Sequence, residues 1–539
     1  MKGLGMNPRT GLTVAAAALM VVAVPTSSWA SPDGKDKASA KTWWWGHDKP
    51  SVGERTLGDP LLPQIGNGGY DARHYRIYLN YDPVTNEFLS AKTTIYAKAD
   101  KTLKEFSLDF QDLDVSSVRV NGLKAEFDQV DATPQLSANP AVTQPMKLVV
   151  TPNPWSRPRA SRYFRVDVKY SGTPEAITDA DGSSEGWIRA CYPLAEPRTC
   201  DGSFVVNEPI GAQSWFPSNN HPSDKATFDT FIRVPQGKTA LGTGESAGKW
   251  KHRDGTMTWR WREDDPTATY LTTATVGDFD YVVDSMNERS TGRTLPVYNA
   301  VDSSADATAK AQVQNSLDMA PGQLNFLSDL FGPYPFDSTG AVADRAAGVG
   351  YALEVQGKPH YAGNPKTGVP SIGLGTQLHE ISHQWFGNSV TLQTWADIWF
   401  NEGWANWSTW YWSAQVQGGT DPAVRFDELY ASTPDENWQV APAVLGGEAA
   451  NLFEYFPTYQ RGAMTLQGYR EIVGDPNFFG LARKLVDKYA YSNISTAEFI
   501  AEAKKASGLK GAKLTLLDEY FQQWLYGETK PTILPEDFA

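Results

Sequence analysis

The sequence predicts an α+β protein, in which an N-terminal antiparallel β-sandwich or saddle-like sheet domain is followed by a mostly helical domain. Three observations carry this expectation. From about residue 67 to 283, short alternating apolar and polar runs recur at close spacing with turn residues between them. After about Arg293 the apolar residues move to spacings of three and four. At 539 residues and 41% hydrophobic composition, the chain is too apolar for a disordered tether and too long for one ordinary domain. No internal repeat is visible.

Residues 1–30 read as a signal peptide. Lys2 and Arg9 form a basic start, Leu12 to Val24 is apolar except for Thr13, and Ser28-Trp29-Ala30 resembles a small-residue cleavage site. The run is short for a permanent anchor, and no other segment reaches 18 apolar residues. Cleavage near Ala30 is therefore expected to give a secreted, extracellular protein with no membrane association. Residues 31–60 are polar, aperiodic and rich in Gly, Pro, Lys and Asp, apart from Trp43-Trp44-Trp45, and are expected to form a flexible leader.

The β domain is assigned to 61–290, on runs such as HYRIYLNY, AKTTIYAKA, YFRVDVKY, FDTFIRVP and MTWRWRE. Its pair Cys191 and Cys200 encloses eight residues, and export permits them to form a disulfide. On the chain-entropy account, such a bridge stabilises by roughly 2.5–3 kcal/mol. The helical domain, 291–539, is read from periodic stretches at Ala305–Leu330, Ile372–Val390, Ile398–Gln417, Gly462–Val473, Pro476–Tyr489, Ser495–Ser507 and Lys513–Leu525.

With 48 Lys and Arg against 62 Asp and Glu, the formal charge is −14, and loss of residues 1–30 makes it −16. That acidity argues against nucleic acid as a partner. The chain holds 19 Trp but only seven His and two Cys. Histidine chemistry must therefore be concentrated. His379 and His383 lie four apart on an expected helix, which puts both imidazoles on one face with Glu380 beside them. A catalytic Zn²⁺ takes three protein ligands. Glu402, which follows His383 after 18 intervening residues on the next expected helix, is the candidate third ligand.

The segment HEISHQWFGNSVTL followed by WADIWFNEG resembles the signature of the aminopeptidase N family of gluzincin zinc metallopeptidases (peptidase family M1). FGPYPF (Phe331–Phe336), GYALEVQ (Gly350–Gln356), NEPIGAQSWFPSNNHPSDKATF (Asn207–Phe228) and YQRGAMTL (Tyr459–Leu466) occur in the family's order. The resemblance implies a β-saddle domain and a thermolysin-like catalytic domain holding one Zn²⁺ on His379, His383 and Glu402. It further implies Glu380 as general base and Tyr459, just before a basic-Gly pair, as the donor to the tetrahedral oxyanion.

Peptide substrates with a free N-terminus are implied by the same likeness. Glu354, with Ala352, falls on the family's exopeptidase motif, and Glu208 on a second amine-binding position. The motif departs from its usual form: Tyr351 stands for Gly, Leu353 for Met, Val355 for Asn, and Val206 for a Gln near Glu208. The chain stops about where the catalytic domain is expected to finish, which suggests a compact two-domain enzyme with an open cleft, expected to be monomeric. An endopeptidase or other hydrolase on the same scaffold, and a catalytically silent binder of peptide or glycan, stay open as alternatives. The Trp residues between 385 and 412 are expected to pack the helices and wall the cleft, and the five remaining His to serve surface or packing roles.

Overall fold

A computed structural model describes residues 49–192, 198–345, 348–364 and 367–539. The proposed signal peptide and the Trp43–Trp45 cluster lie outside these residues. The alternating runs form an eight-stranded sheet whose spatial order is Glu245–Lys251, Thr256–Thr267, Ala226–Pro235, Tyr70–Asp82, Glu87–Ala99, Tyr163–Gly172, Asp114–Val120 and Leu123–Lys124. Every pairing in it is antiparallel except Tyr70–Asp82 against Ala226–Pro235. The period of two puts Tyr75, Ile77, Leu79 and Tyr81 on the inner face, where they join Phe228, Val166, Val168 and Trp187 in one core.

A four-stranded sheet (Ser51–Val52, Leu103–Asp109, Met146–Thr151, Glu126–Asp131) and a five-stranded one (Ala176–Thr178, Ser184–Tyr192, Thr199–Val206, Ala274–Gly277, Thr239–Gly242) complete the β portion. The disulfide Cys191–Cys200 joins register partners of the hairpin Ser184–Tyr192/Thr199–Val206.

The leader reading requires a correction at its end. Ser51–Val52 is paired to the strand beginning at Leu103, and Asp59 is buried. Asp59 accepts hydrogen bonds from the N–H groups of Leu61, Leu62 and Trp395 and lies 3.2 Å from His221 Nε2. A carboxylate with four polar neighbours anchors this stretch, where composition alone suggested a loose chain.

The second half is less purely helical than its periodicity suggests. A mixed sheet of Phe279–Asn287, Thr294–Asp302, Thr339–Asp344, His360–Ala362 and Ala352–Leu353 precedes and flanks the helices. Eight α-helices are present among the described residues: α1 Ala307–Phe331, α2 Leu374–Ser382, α3 Ile398–Gln417, α4 Pro422–Ser432, α5 Gly462–Val473, α6 Asp475–Lys488, α7 Thr496–Ala506 and α8 Ala512–Phe521. The expected helix 372–390 is cut short. Gly387 at φ +137° turns the chain in a way that L side chains rarely allow, and Val390–Leu392 then becomes a strand. Trp385, Trp395, Trp399, Trp404, Trp407, Trp410 and Trp412 are all buried. None of them lines the cleft, so they pack the helices without walling the site.

Candidate active site

Helix α2 carries His379 and Glu380, and His383 follows it as a still-helical cap residue at φ −57°, ψ −24°. The i, i+4 spacing therefore survives the helix end, and the two imidazole rings sit 4.7 Å apart. From α3, Glu402 Oε2 comes within 3.0 Å of His379 Nε2 and 3.5 Å of His383 Nε2. Donor atoms on a tetrahedral zinc at ~2.0–2.1 Å are about 3.3 Å apart, so this triad has the spacing of a three-ligand zinc site. His383 Nδ1 lies 3.1 Å from Phe386 O, a bond that directs the Nε2 lone pair inward. Glu354, Glu380 and His383 form a second close triad that shares His383. The two triads therefore describe one centre with extra carboxylates on its far side. The N and O donors suit zinc.

Glu354 directly follows the short strand Ala352–Leu353, and its position is set from the turn that follows α2. Its backbone carbonyl accepts from Asn388 Nδ2 at 2.7 Å and Gln384 Nε2 at 3.2 Å. Gln384 Oε1 accepts in turn from Gly357 N–H at 2.9 Å. Lys225, reaching over from the β portion, donates to the carbonyls of Asn388 and Ser389 at 2.9 and 3.0 Å. The Gln and Asn of the HQWFGN segment are thus a clamp between the metal helix and the Glu354 strand. Glu208 enters from the end of Thr199–Val206, past Asn207, which accepts from Trp215 Nε1 at 3.0 Å. Oε1 of Glu208 and Oε1 of Glu354 are buried without a partner among the described residues.

The electrostatics are those of a site short of positive charge. Burial pushes Glu208 and Glu380 well above the usual carboxylate range, and neighbouring carboxylates add to the effect. Glu354 is raised by burial and by Glu402. Glu402 moves the other way, to about 2: burial opposes the shift, but His383 and His379 outweigh it. Burial also opposes charge on His383, yet Glu402, Glu354 and Glu380 raise it to about 10. Burial lowers His379. A divalent cation among these groups would relieve the carboxylate repulsion and displace the imidazole proton.

Tyr459 arrives on a π-helical turn, Tyr455–Arg461, that leads into α5. Its ring centroid is 6.0 Å from that of His379, and its backbone carbonyl accepts from Asn406 Nδ2 at 3.1 Å. Two glycines permit this approach. A Cβ on Gly403 would meet Gly462 C at 3.0 Å, and one on Gly462 would meet Gly403 Cα at 3.1 Å, so α3 and α5 cross backbone against backbone beside Glu402. Arg461 of the basic-Gly pair is structural. Its guanidinium is buried and donates to the carbonyls of Trp438, Val440, Gln523 and Gly527 at 2.7–3.1 Å.

All eight non-cysteine site residues read from the sequence line one cleft of about 610 Å³. Sequence reasoning missed Asp181, Ser183, Thr376, Asn406, Thr409, Phe453 and Tyr455, which also line it. Asn406 and Thr409 lie four and seven residues past Glu402, a helical spacing that was available as a signal. Asp181, Ser183 and Phe453 come from loops and left none. Tyr351, standing where the family has Gly, donates from its hydroxyl to Ser184 O at 2.8 Å, tying the Glu354 segment to the disulfide-bridged hairpin. The lining holds five carboxylates (Asp181, Glu208, Glu354, Glu380, Glu402) and no Lys or Arg. Four of these carboxylates are buried and Asp181 is exposed, and together they equip the cleft to take a metal ion along with a cationic group of a ligand.

Comparison with known proteins gives the same picture. Residues 71–271 match the Peptidase M1 N-terminal domain, and residues 375–524 match the Peptidase family M1 domain. Aminopeptidase M1-C of Oryza sativa subsp. japonica is 29% identical over 346 residues, covering 60% of this chain and 37% of that protein. Aminopeptidase M1 of Arabidopsis thaliana is 29% identical over 329 residues, covering 56% and 35%. The chain thus spans little more than a third of the length of these relatives. The crystal structure of the M1 zinc metallopeptidase from Deinococcus radiodurans superposes with TM-score 0.73 at 25% identity, over 89% of this chain and 99% of that one. A mutant of the Deinococcus enzyme has been solved with a Tyr-Ser-Ala substrate. The two family domains together cover well over half of the sequence, in the family's order, and the chain belongs to peptidase family M1.

Proposed function

We propose that the protein is a secreted zinc-dependent aminopeptidase that removes N-terminal residues from peptides. The observation that carries this reading is the cleft itself: a His379–His383–Glu402 triad with zinc spacing, walled by further buried carboxylates and by no Lys or Arg. His379, His383 and Glu402 would hold one Zn²⁺, which when bound polarises the scissile carbonyl and lowers the pKa of water to about 7. Glu380, beside the ligands and outside the triad, would take the proton of the attacking water and return it to the leaving amine. The Tyr459 hydroxyl, whose pKa burial raises well above its ordinary value, remains a donor and meets the developing oxyanion. The unpartnered oxygens of Glu354 and Glu208 accept from the substrate's α-ammonium group, and Ala352 lies along the substrate beside them. The Tyr-Ser-Ala complex of the Deinococcus relative supports a peptide as the occupant. Export is supported by the basic start and apolar run of residues 1–30 and by the disulfide Cys191–Cys200.

The test compares an aminoacyl p-nitroanilide with its N-acetyl derivative, with and without chelator. Cleavage of the free-amine form alone, lost on chelation and restored by zinc, is the expected result. Equal cleavage of both substrates would defeat the exopeptidase assignment, and cleavage indifferent to chelator would defeat the metal assignment.

A further inference from the structure

We propose that the outer face of the eight-stranded sheet is a binding site for an acidic polysaccharide, separate from the cleft. The site is a groove of about 470 Å³. Strand register builds it as two neighbouring rows. In one, Arg260, Phe231, Tyr78, Lys92 and Lys169 are successive partners on five strands. In the next, Trp250, Thr258, Arg233, Asn80 and Ser90 follow in the same way. At ~4.8 Å between strands, each row runs about 19 Å across the sheet.

The charge of the groove is the inverse of the cleft. Its lining includes Lys92, Lys169 and Arg233 and no carboxylate, in a chain of net charge −14. Nearby acids are already shared: Asp229 lies between Arg76 and Arg260, Asp167 between Lys92 and Arg165, and Asp254, more than half exposed at the rim, pairs with Arg233. Lys169 stands directly opposite Lys92 and has no carboxylate partner among the described residues. Like charges so placed are destabilising, and an anion lying between them removes the penalty.

The remaining side chains select the kind of anion. Tyr78 and Phe231 stack on each other at 4.4 Å and 11°, and the Arg260 guanidinium lies 5.2 Å from the Phe231 centroid. These rings form a rigid wall whose faces are largely used. Trp250, edge-on to Phe231 at 6.2 Å and 42% exposed, offers ring surface to a ligand. One free aromatic surface is a poor platform for a run of nucleobases, which need several. An extended acidic peptide gains affinity from backbone donors at a sheet edge, whereas this face has its backbone groups paired within the sheet. A sugar chain needs only what is present: Trp250 for a ring face, Asn80 and Ser90 for hydroxyls, and Lys169 for a carboxylate or sulfate, with Lys92 and Arg233, each shared with an Asp, also in the groove.

The experiment titrates the full chain with heparin and polygalacturonate, using dextran as the neutral polysaccharide and a 20-mer of oligodeoxythymidylate and poly-glutamate as other polyanions. Lys169→Glu, Lys169→Gln, Arg233→Glu and Trp250→Ala are compared at matched melting temperature. The expected result is salt-sensitive binding of at least one acidic polysaccharide, weakened about tenfold or more by the charge reversals and less by Lys169→Gln. Absence of binding to both acidic polysaccharides, tighter binding of either other polyanion, or affinity unchanged in all four variants would overturn the proposal.

Discussion

Among single residues, Glu380 is the one for which side-chain chemistry and metal binding separate most cleanly. It is adjacent to a proposed ligand yet outside the triad, so Glu380→Gln should cut kcat by about 10²–10⁴-fold while zinc content by mass spectrometry stays near that of the parent. Loss of metal from the variant would contradict the role given to Glu380. Asn388 makes a subtler case. Asn388→Ala removes the 2.7 Å bond to Glu354 O, and KM for free-amine anilides should rise about five- to tenfold with a smaller change in kcat, as expected when a positioning contact of ~1 kcal/mol is lost. Both residues sit in one ten-residue motif, but only Glu380 was legible there, because its chemistry is local. The clamp made by Asn388 needs a strand more than 30 residues away. His221 shows the limit from the other side: as a lone histidine it reads as packing, and the structure pairs it with Asp59 from a stretch that looked unstructured.

The decisive contact between elements is the crossing of α3 and α5 at Gly403 and Gly462. A methyl group on either glycine meets facing backbone at about the closest distance real Cβ atoms tolerate. Gly403→Ala or Gly462→Ala should therefore lower unfolding free energy by about 1–3 kcal/mol in urea titrations and reduce activity, because Glu402 and Tyr459 ride on the two elements being forced apart. Wild-type stability with unchanged kcat in both variants would show that the crossing has slack. Element type followed directly from periodicity for the long strands and for α3, α5 and α7. Boundaries failed where one residue overrides the pattern, as Gly387 does after α2. Of the small mixed sheet, Phe279–Asn287 falls within the stretch read as the β domain and Thr294–Asp302 lies just past its boundary, while the other three strands, of two to six residues, are too short to show a period.

For the molecule as a whole, metal binding and folding should be coupled. Removing zinc leaves buried carboxylates facing one another, so chelation should lower the melting temperature and added zinc should restore it in a concentration-dependent way. In the metal-free form the His383–Glu402 pair gives a signed pH dependence. Glu402 is held at about 2, below its ordinary 4.5, so its contribution is full above 4.5 and is lost as pH falls toward 2. His383 is raised from 6.5 to about 10, so its contribution is full below 6.5 and is lost as pH rises toward 10. The melting difference between chelated parent and Glu402→Gln should accordingly be largest near pH 5.5 and shrink at pH 3 and pH 9; a flat difference would show that the pair does not form. The sequence by itself determined the class of the long strands and helices and the spacing that marks His379, Glu380, His383 and Glu402 as candidates, because helical and strand periods and the His-Glu spacing are local properties of the chain. Only the tertiary structure decided that Gln384 and Asn388 clamp the Glu354 segment, that α3 and α5 meet through glycine, and that one sheet face of an acidic protein is basic. Those facts depend on which distant strands and helices come to lie side by side, and spacing along the chain carries no record of that.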